Sequence, residues 1–490
     1  MSKEFVIGLD IGTTSVKACL FDLRGHVLAE AENMNTFFYP QPGWAEQNPQ
    51  EIEQSAVQAL KEVIEKAGVQ VSQLLAVGFS AAMHSLVCMD SELNPLSPAL
   101  IWADGRSHEQ AERLLAGDGY SLYAKTGTPI HPMTPFLKLL WMKETGYEPY
   151  QQAAYFMSIK EYMIYRWFGE QFIDYSMASA TGLFNPSTLN WEAELLELAG
   201  VKEEQLSRIV PPTTILPAIR ADVAAEMGIP QDLPFVIGAA DGQLANLGIG
   251  AILPGEVAVS AGTSGAIRQV THGTVVNEKH ETFCYAFTAD TSIIGGATNN
   301  GGIALQWAKD LLDSESSFPA FLQKAEHVPP GAEGILFLPY VNGERAPLWN
   351  QRAKGNFYGV TLAHRKEHFI RAVLEGITFN LYQIGKALER LAGAPKCLYV
   401  NGGLARSPLW LQMLADIFDA EVQVSESHHS AAWGAAWMAL LAIERVETLG
   451  DIKKNIPAGN RFYPDEENSA RYQEIYQQYE QLVRDITKHF

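Results

Sequence analysis

Two short loops in the chain join glycine to clustered hydroxyls: Asp10-Ile11-Gly12-Thr13-Thr14-Ser15 and Ser260-Ala261-Gly262-Thr263-Ser264-Gly265. Each lies between two apolar runs, Phe5 to Leu9 and Val16 to Leu20 in the first case, Val257 to Val259 and Ala266 to Val270 in the second. Both are expected to be tight strand hairpins. Glycine leaves backbone N–H groups unshielded, and the adjacent hydroxyls can converge with them on an anion such as a phosphate oxygen. Either loop alone also reads as a plain turn in a sheet; two in corresponding places point to a nucleotide phosphate chain held between two related halves. Neither is a P-loop of the Walker type, because a strand rather than a helix follows the first.

Further chemistry is expected at strand ends, where ligands of α/β sheets collect. Leu74 to Phe79 runs into Ser80-Ala81-Ala82-Met83-His84, and Phe235 to Gly238 runs into Ala239-Ala240-Asp241-Gly242-Gln243. Asp241 therefore stands at a strand terminus beside glycine, where a carboxylate can serve as a general base or as a helix N-cap ahead of Gln243. Leu398 to Asn401 leads into Gly402-Gly403-Leu404-Ala405-Arg406-Ser407-Pro408. A strand, two glycines and a Ser-Pro helix start make either a simple turn or a place where a flat base approaches the backbone.

The elements that must position these groups alternate strand and helix. After the first hairpin, Gly25 turns the chain into a third strand near Val27 to Ala31. Asn48, Pro49 and Glu51 mark a helix start with a capping box, Gly68 its end, and Ile52, Ala56, Leu60, Val63, Ile64 and Ala67 recur at helical spacing. The second half repeats the scheme, with a strand near Ser292 to Gly296 and a helix opening at Asn299-Asn300-Gly301-Gly302. Ala431 to Trp437 is rich in small residues, which predicts tight helix packing, and Tyr472 to Ile486 predicts a closing amphipathic helix. Ile252-Leu253-Pro254-Gly255 is the best boundary, giving expected domains at 1–250 and 251–490.

At 490 residues the chain is long enough for two to four domains. Its formal charge of −20 argues against nucleic acid or an anionic membrane as partner. No apolar run reaches the roughly eighteen residues of a membrane span, and Met1-Ser2-Lys3-Glu4 carries no signal-peptide pattern, so a cytoplasmic protein with a small-molecule substrate is expected. Cys19, Cys88, Cys284 and Cys397 are far apart in apolar contexts and read as small buried hydrophobes. The adjacent His428-His429 pair reads as a solvated loop.

With these features in place the chain resembles the FGGY family of carbohydrate kinases over almost its whole length. Met133 to Glu144 is similar to the family's first signature, with Thr145 departing from it, and Gly355 to Val360, His368-Phe369 and Ala372 to Glu375 fit the second. Ala82-Met83-His84-Ser85, Trp102-Ala103-Asp104-Gly105-Arg106, Thr126 to Met133, Ile159 to Tyr162 and Ser176 to Gly182 resemble the gluconate kinases within it. Xylulose kinases share Met-His and Gly343-Glu344-Arg345 and are the nearest alternative. The resemblance implies an α/β fold of two related actin/Hsp70/hexokinase-like (ribonuclease H-like) ATPase domains with a cleft between them. A chaperone-like or filament-forming ATPase of that fold without a sugar substrate is the reading from a different class, and a homodimer is left open.

By that resemblance ATP and Mg2+ are the expected cofactors, and Asp241 takes the proton of the attacking hydroxyl without a large pKa shift. Asp10 lies near the magnesium ion, through water. Gly12, Thr13, Thr14 and Lys17 approach the phosphates from one side, Lys17 being equally consistent with an exposed strand residue; Gly262 and Thr263 approach from the other. Gly302, Gln306, Gly402, Gly403 and Ser407 line the nucleotide site. Met83, His84, Trp102, Asp104, Arg106, His131, Asp241 and Gln243 face the acceptor, with Trp102 as its apolar wall. A polyol acid also needs a cation, for which His131, Lys138, Lys160 and Arg106 are all available.

Overall fold

The computed structural model describes residues 4–425, 429–456 and 459–490. In the first half, β1 (Phe5–Ile11), β2 (Ser15–Asp22) and β3 (Val27–Met34) form an antiparallel meander, and β4 (Leu74–Ala81) and β5 (Phe235–Ala240) add parallel to it. The strand order is β5-β4-β1-β2-β3. The second half repeats it. There β6 (Glu256–Ala261) and β7 (Gly265–His272) form the hairpin, followed by β8 (Phe283–Ala286) and β9 (Thr291–Thr298). Then β10 (Cys397–Asn401), β11 (Glu421–Val424) and β12 (Arg461–Phe462) complete the order β8-β9-β7-β6-β10-β11-β12. Thus β9-β7-β6-β10-β11 reproduces β3-β2-β1-β4-β5, with β8 and β12 added at the edges. Both glycine-hydroxyl loops are the hairpins between the first two strands of their sheet, closing at Ile11↔Val16 and Ala261↔Gly265.

Helix α1 (Pro49–Ala67) covers the first sheet with Ile52, Ala56, Leu60 and Val63 buried, each large aliphatic side chain contributing about 1.5–3 kcal/mol on leaving water. It ends at Gly68 in the left-handed conformation, as its spacing predicts. Its start differs in detail: the Asn48 side chain accepts from Gln50 N–H at 2.9 Å, and the reciprocal Glu51 bond of a capping box does not form. Cys19, Cys88 and Cys284 are buried, whereas Cys397 is only partly so. His428 lies outside the described residues, and His429 is not solvated loop but pairs with Glu30 on β3 at 2.7 Å.

The small-residue stretch becomes α8, and its packing joins the two halves. Numbered along the chain, the other helices used below are α2 (Pro135–Thr145), α3 (Ile159–Phe168), α4 (Asp241–Gly248), α5 (Gly302–Leu312), α6 (Lys366–Ala392) and α7 (Pro408–Phe418). They are followed by α8 (Ser430–Ala442) and the closing amphipathic α9 (Glu466–Ile486). Although α8 follows β11 of the second sheet, it packs on β1, β4 and α4 of the first. The approach is backbone to backbone. A Cβ on Gly8 would stand 1.9 Å from the Ala432 carbonyl oxygen, and one on Gly78 1.9 Å from that of Ala435. No side chain fits at either point, so glycine there is a condition of the two sheets meeting. Among the described residues no helix is long and apolar enough to cross a membrane.

Candidate active site

The second hairpin is braced by the start of α5: Gly302 N–H donates to the Gly262 carbonyl at 2.6 Å and Ile303 N–H to that of Thr263 at 2.9 Å. Gly402 packs on the same hairpin with φ of 99°, and a Cβ there would lie 2.6 Å from the Ala261 carbonyl oxygen. Beside these glycines opens a cavity of about 1060 Å³, lined by Gly262, Thr263, Gly302, Gln306, Gly403 and Ser407. Six residues expected at a nucleotide thus line one cavity. Ser407 also caps α7, accepting from Trp410 N–H at 3.3 Å. Phe318, Leu322, Gln323 and Glu326 also line it, and no motif in the sequence marks them.

A second cavity, also of about 1060 Å³, lies between the halves and shares Thr263 and Ile303 with the first. Thr14, Trp102, Asp104 and His131 line it from one side, Ser264, Asn299 and Arg345 from the other. The first hairpin is tied to this space: Trp102 Nε1 donates to Thr13 Oγ1 at 3.0 Å, and Asn35 and Gln47 hold the Gly12 and Thr13 carbonyls. Met83 joins Gly12, Thr13 and Trp102 around a small recess. Lys17 is ion-paired with Glu32 at 3.3 Å and lines neither large cavity.

Two histidines offer complementary neutral faces. His84, at φ of 70°, donates from Nδ1 to the Ala180 carbonyl at 2.8 Å, which leaves Nε2 as an acceptor. His131 Nδ1 accepts from Met133 N–H at 3.2 Å, which leaves Nε2–H as a donor. Burial lowers both to about 3, with the charges of Lys138 and Arg345 adding to the effect, so both stay uncharged at neutral pH. A donor on one ring and an acceptor on the other suit hydroxyl groups.

Asp241 is the first residue of α4, and a buried network sets the strand end before it. Lys160 pairs with Asp174 at 2.6 Å and reaches the Ala239 carbonyl at 3.3 Å. Asp174 holds Ser176, whose Oγ accepts from Ala240 N–H at 2.7 Å. Burial and the neighbouring Asp10 carboxylate push Asp241 up to about 6, against the pull of Arg268 and the Gly242 N–H. The expectation of a carboxyl with little shift is therefore corrected: the site is drier than a strand terminus in isolation suggests. Asp10 is also raised by burial, opposed by a 2.7 Å bond from Ser80 Oγ. Gln243 is buried on the same helix, its Oε1 sealed without a partner. Arg268, a charge within the apolar strand Ala266 to Val270, lies against Gly242, where a Cβ would be 3.1 Å from its Nε.

Three of the four cations open to an acidic substrate are engaged elsewhere. Lys138 donates to the carbonyls of His84, Leu100 and Ile101 at 2.6, 3.1 and 2.8 Å, and burial brings it down to about 7. Lys160 is held by Asp174. Arg106 is locked between Asp104 at 2.7 Å and Glu46 at 2.6 Å, under the Trp44 ring at 3.7 Å, with only Nη1 lacking a partner. Asp104 spends its remaining oxygen capacity on Ala45 N–H at 2.8 Å, so this pair braces the Trp102 loop.

Comparison with known proteins agrees with this architecture. The N-terminal domain model of the FGGY family of carbohydrate kinases matches residues 5–248, and the C-terminal domain model matches 257–443. The chain belongs to the FGGY family of carbohydrate kinases. A gluconokinase of Bacillus licheniformis is 41% identical over 96% of this chain and 94% of its own. Two solved structures from Lactobacillus acidophilus superpose with TM-score 0.96 at 33% identity. One is a gluconate kinase, covering 98% of each chain, and the other a ligand-bound xylulose kinase, covering 99% of this chain and 98% of its own. As an FGGY carbohydrate kinase the protein is a phosphotransferase with an alcohol acceptor and ATP as co-substrate, which sets aside the chaperone-like and filament-forming readings.

Proposed function

We propose that the chain is a gluconate kinase, moving the γ-phosphoryl group of ATP to the 6-hydroxyl of D-gluconate to give 6-phosphogluconate. The observation that carries this reading is the 41% identity to a gluconokinase across nearly the full length of both chains, against 29% to a xylulose kinase of Bacillus subtilis over a similar span. The two cavities that share Thr263 support it further, because a triphosphate in one and a polyol in the other would meet at the second hairpin.

Phosphoryl transfer runs through a loose transition state, so position and charge compensation do most of the catalytic work. In this reading the 6-oxygen bonds to the γ-phosphorus as the bond to the bridging oxygen of ADP breaks, and the hydroxyl proton passes to Asp241. A carboxyl near 6 is ionised at neutral pH and is a stronger base than an ordinary aspartate, which suits that role. Gly12, Thr13 and Thr14 on one side, Gly262 and Thr263 on the other, would hold the phosphates. Gly302, Gln306, Gly402, Gly403 and Ser407 would hold the nucleoside end, and Met83, His84, Trp102, His131 and Gln243 the acceptor. Asp104 and Arg106 would act through the Trp102 loop, and Lys17 is assigned to the phosphate side through its place opposite Asp10 on β2.

Two half-buried carboxylates whose charges repel, Asp10 and Asp241, form a donor set that would fit a magnesium ion. Asp10 would hold it through water, and the ion would neutralise charge on the phosphate oxygens. The test is a panel with ATP and magnesium comparing gluconate, xylulose, glycerol and ribulose. Gluconate is expected to give the highest kcat/KM, and a hundredfold preference for xylulose would overturn the specificity while leaving the kinase class intact.

A further inference from the structure

Arg345 is a cation of the cleft whose guanidinium no carboxylate of the described residues pairs with. It enters from the second half, between β9 and α6, and lines the cavity that Trp102 and His131 line from the first. Its guanidinium lies over the Trp102 ring at 5.0 Å, and Nη2 makes one long bond, 3.3 Å, to the Thr298 carbonyl. Nε is sealed from solvent with no acceptor. The adjacent Glu344 is no ion-pair partner. Its carboxylate is filled by Thr298 Oγ1, Asn299 N–H, Asn300 Nδ2, Asn380 Nδ2 and the Arg345 backbone N–H, at 2.6 to 3.1 Å. Burial, opposed by Glu344 and helped by Arg268, lowers the guanidinium to about 10, so this is a charge in want of an anion.

We propose that Arg345 is the acid-end anchor of the acceptor site, its guanidinium pairing with the substrate carboxylate on the Trp102 face while His131 Nε2–H donates beside it. This rests on the gluconate reading and adds to it the residue that recognises the acid. Guanidinium and carboxylate match as paired, charge-assisted hydrogen bonds, and desolvation by the cleft strengthens them. Xylulose kinases share Gly-Glu-Arg, but a ketose presents only neutral oxygens to the same group, so the guanidinium contributes less to it.

The test is Arg345→Gln, with Arg345→Lys as a charge-retaining variant and Arg471→Gln, an exposed arginine of α9 paired with Glu474, as control. Arg345→Gln is expected to raise KM for gluconate about thirtyfold or more, the scale of a lost charged hydrogen-bond pair, with KM for ATP and the melting temperature nearly unchanged. Arg345→Lys recovers part of the loss, and Arg471→Gln stays within about twofold on both substrates. A gluconate KM that moves less than about threefold in both Arg345 variants, or that rises in step with the ATP KM, overturns the anchor. Wild-type enzyme that fails to phosphorylate gluconate sinks the gluconate reading itself and the anchor with it.

Discussion

Asp241→Asn separates what this carboxyl does for catalysis from what it costs the fold. In the folded chain it titrates near 6, against an ordinary value of 3.8, because burial and Asp10 disfavour its charge. Below the unfolded value both states carry the proton and the group is neutral toward stability. As pH rises through the folded value the unfolded state has already ionised, and the folded state must follow at a cost. A shift of about two units corresponds to about 3 kcal/mol at pH 8, and the partial solvent contact of the side chain reduces that to roughly 1–2 kcal/mol. Asparagine removes the charge and can still accept from Gly242 N–H, which Asp241 binds at 2.7 Å. The variant should therefore melt higher than wild type at pH 8, by about 2–4 °C per kcal/mol for a unit of this size, and equally with it near pH 4. Its kcat should fall by about 10²–10⁴ with ATP binding retained, as expected for loss of a general base. Thermal melts at both pH values, calorimetric nucleotide titration and a coupled kinase assay read all three. The same stabilisation at pH 4 and pH 8 would refute the titration argument, and kcat within tenfold of wild type would remove Asp241 from the mechanism.

Wild-type kcat/KM should lose activity on an acid limb near pH 6 with unit slope, because the base works only when deprotonated; a limb near pH 4 would contradict the burial assigned to Asp241. Gly402→Val puts a side chain 2.6 Å from the Ala261 carbonyl at a left-handed backbone position, so nucleotide binding should fall at least tenfold by calorimetry while circular dichroism still shows a folded protein. Gly78→Ala drives a methyl to within 1.9 Å of the Ala435 carbonyl and should destabilise the protein by about 3 kcal/mol or more, read as a lower melting temperature; an unchanged melt would mean that α8 does not seat on the first sheet. Gluconate together with a nucleotide analogue should reduce the radius of gyration in solution scattering, since Asp241 lines neither large cavity and closure of the halves would bring it to the acceptor; no change argues against closure.

The parts of this protein readable from sequence are those encoded by spacing within a single element. Both hairpins, the left-handed stop at Gly68, the Ser407 cap and the amphipathic closing helix follow from residues a few positions apart, whose turn and burial preferences act locally. The family signatures are likewise contiguous strings. Which charges are free to meet a ligand is not encoded that way. Arg106, Lys138 and Lys160 looked as available as any cation, yet each is consumed by carboxylates or carbonyls that only chain folding brings to it, and Arg345 is left open because Asn300 and Asn380 saturate its neighbour. The pKa of Asp241 has the same origin, since Asp10 and Arg268 reach it from other strands. Local sequence sets backbone conformation; desolvation and pairing depend on partners from distant segments, so the chemistry of the cleft was decided by the tertiary structure.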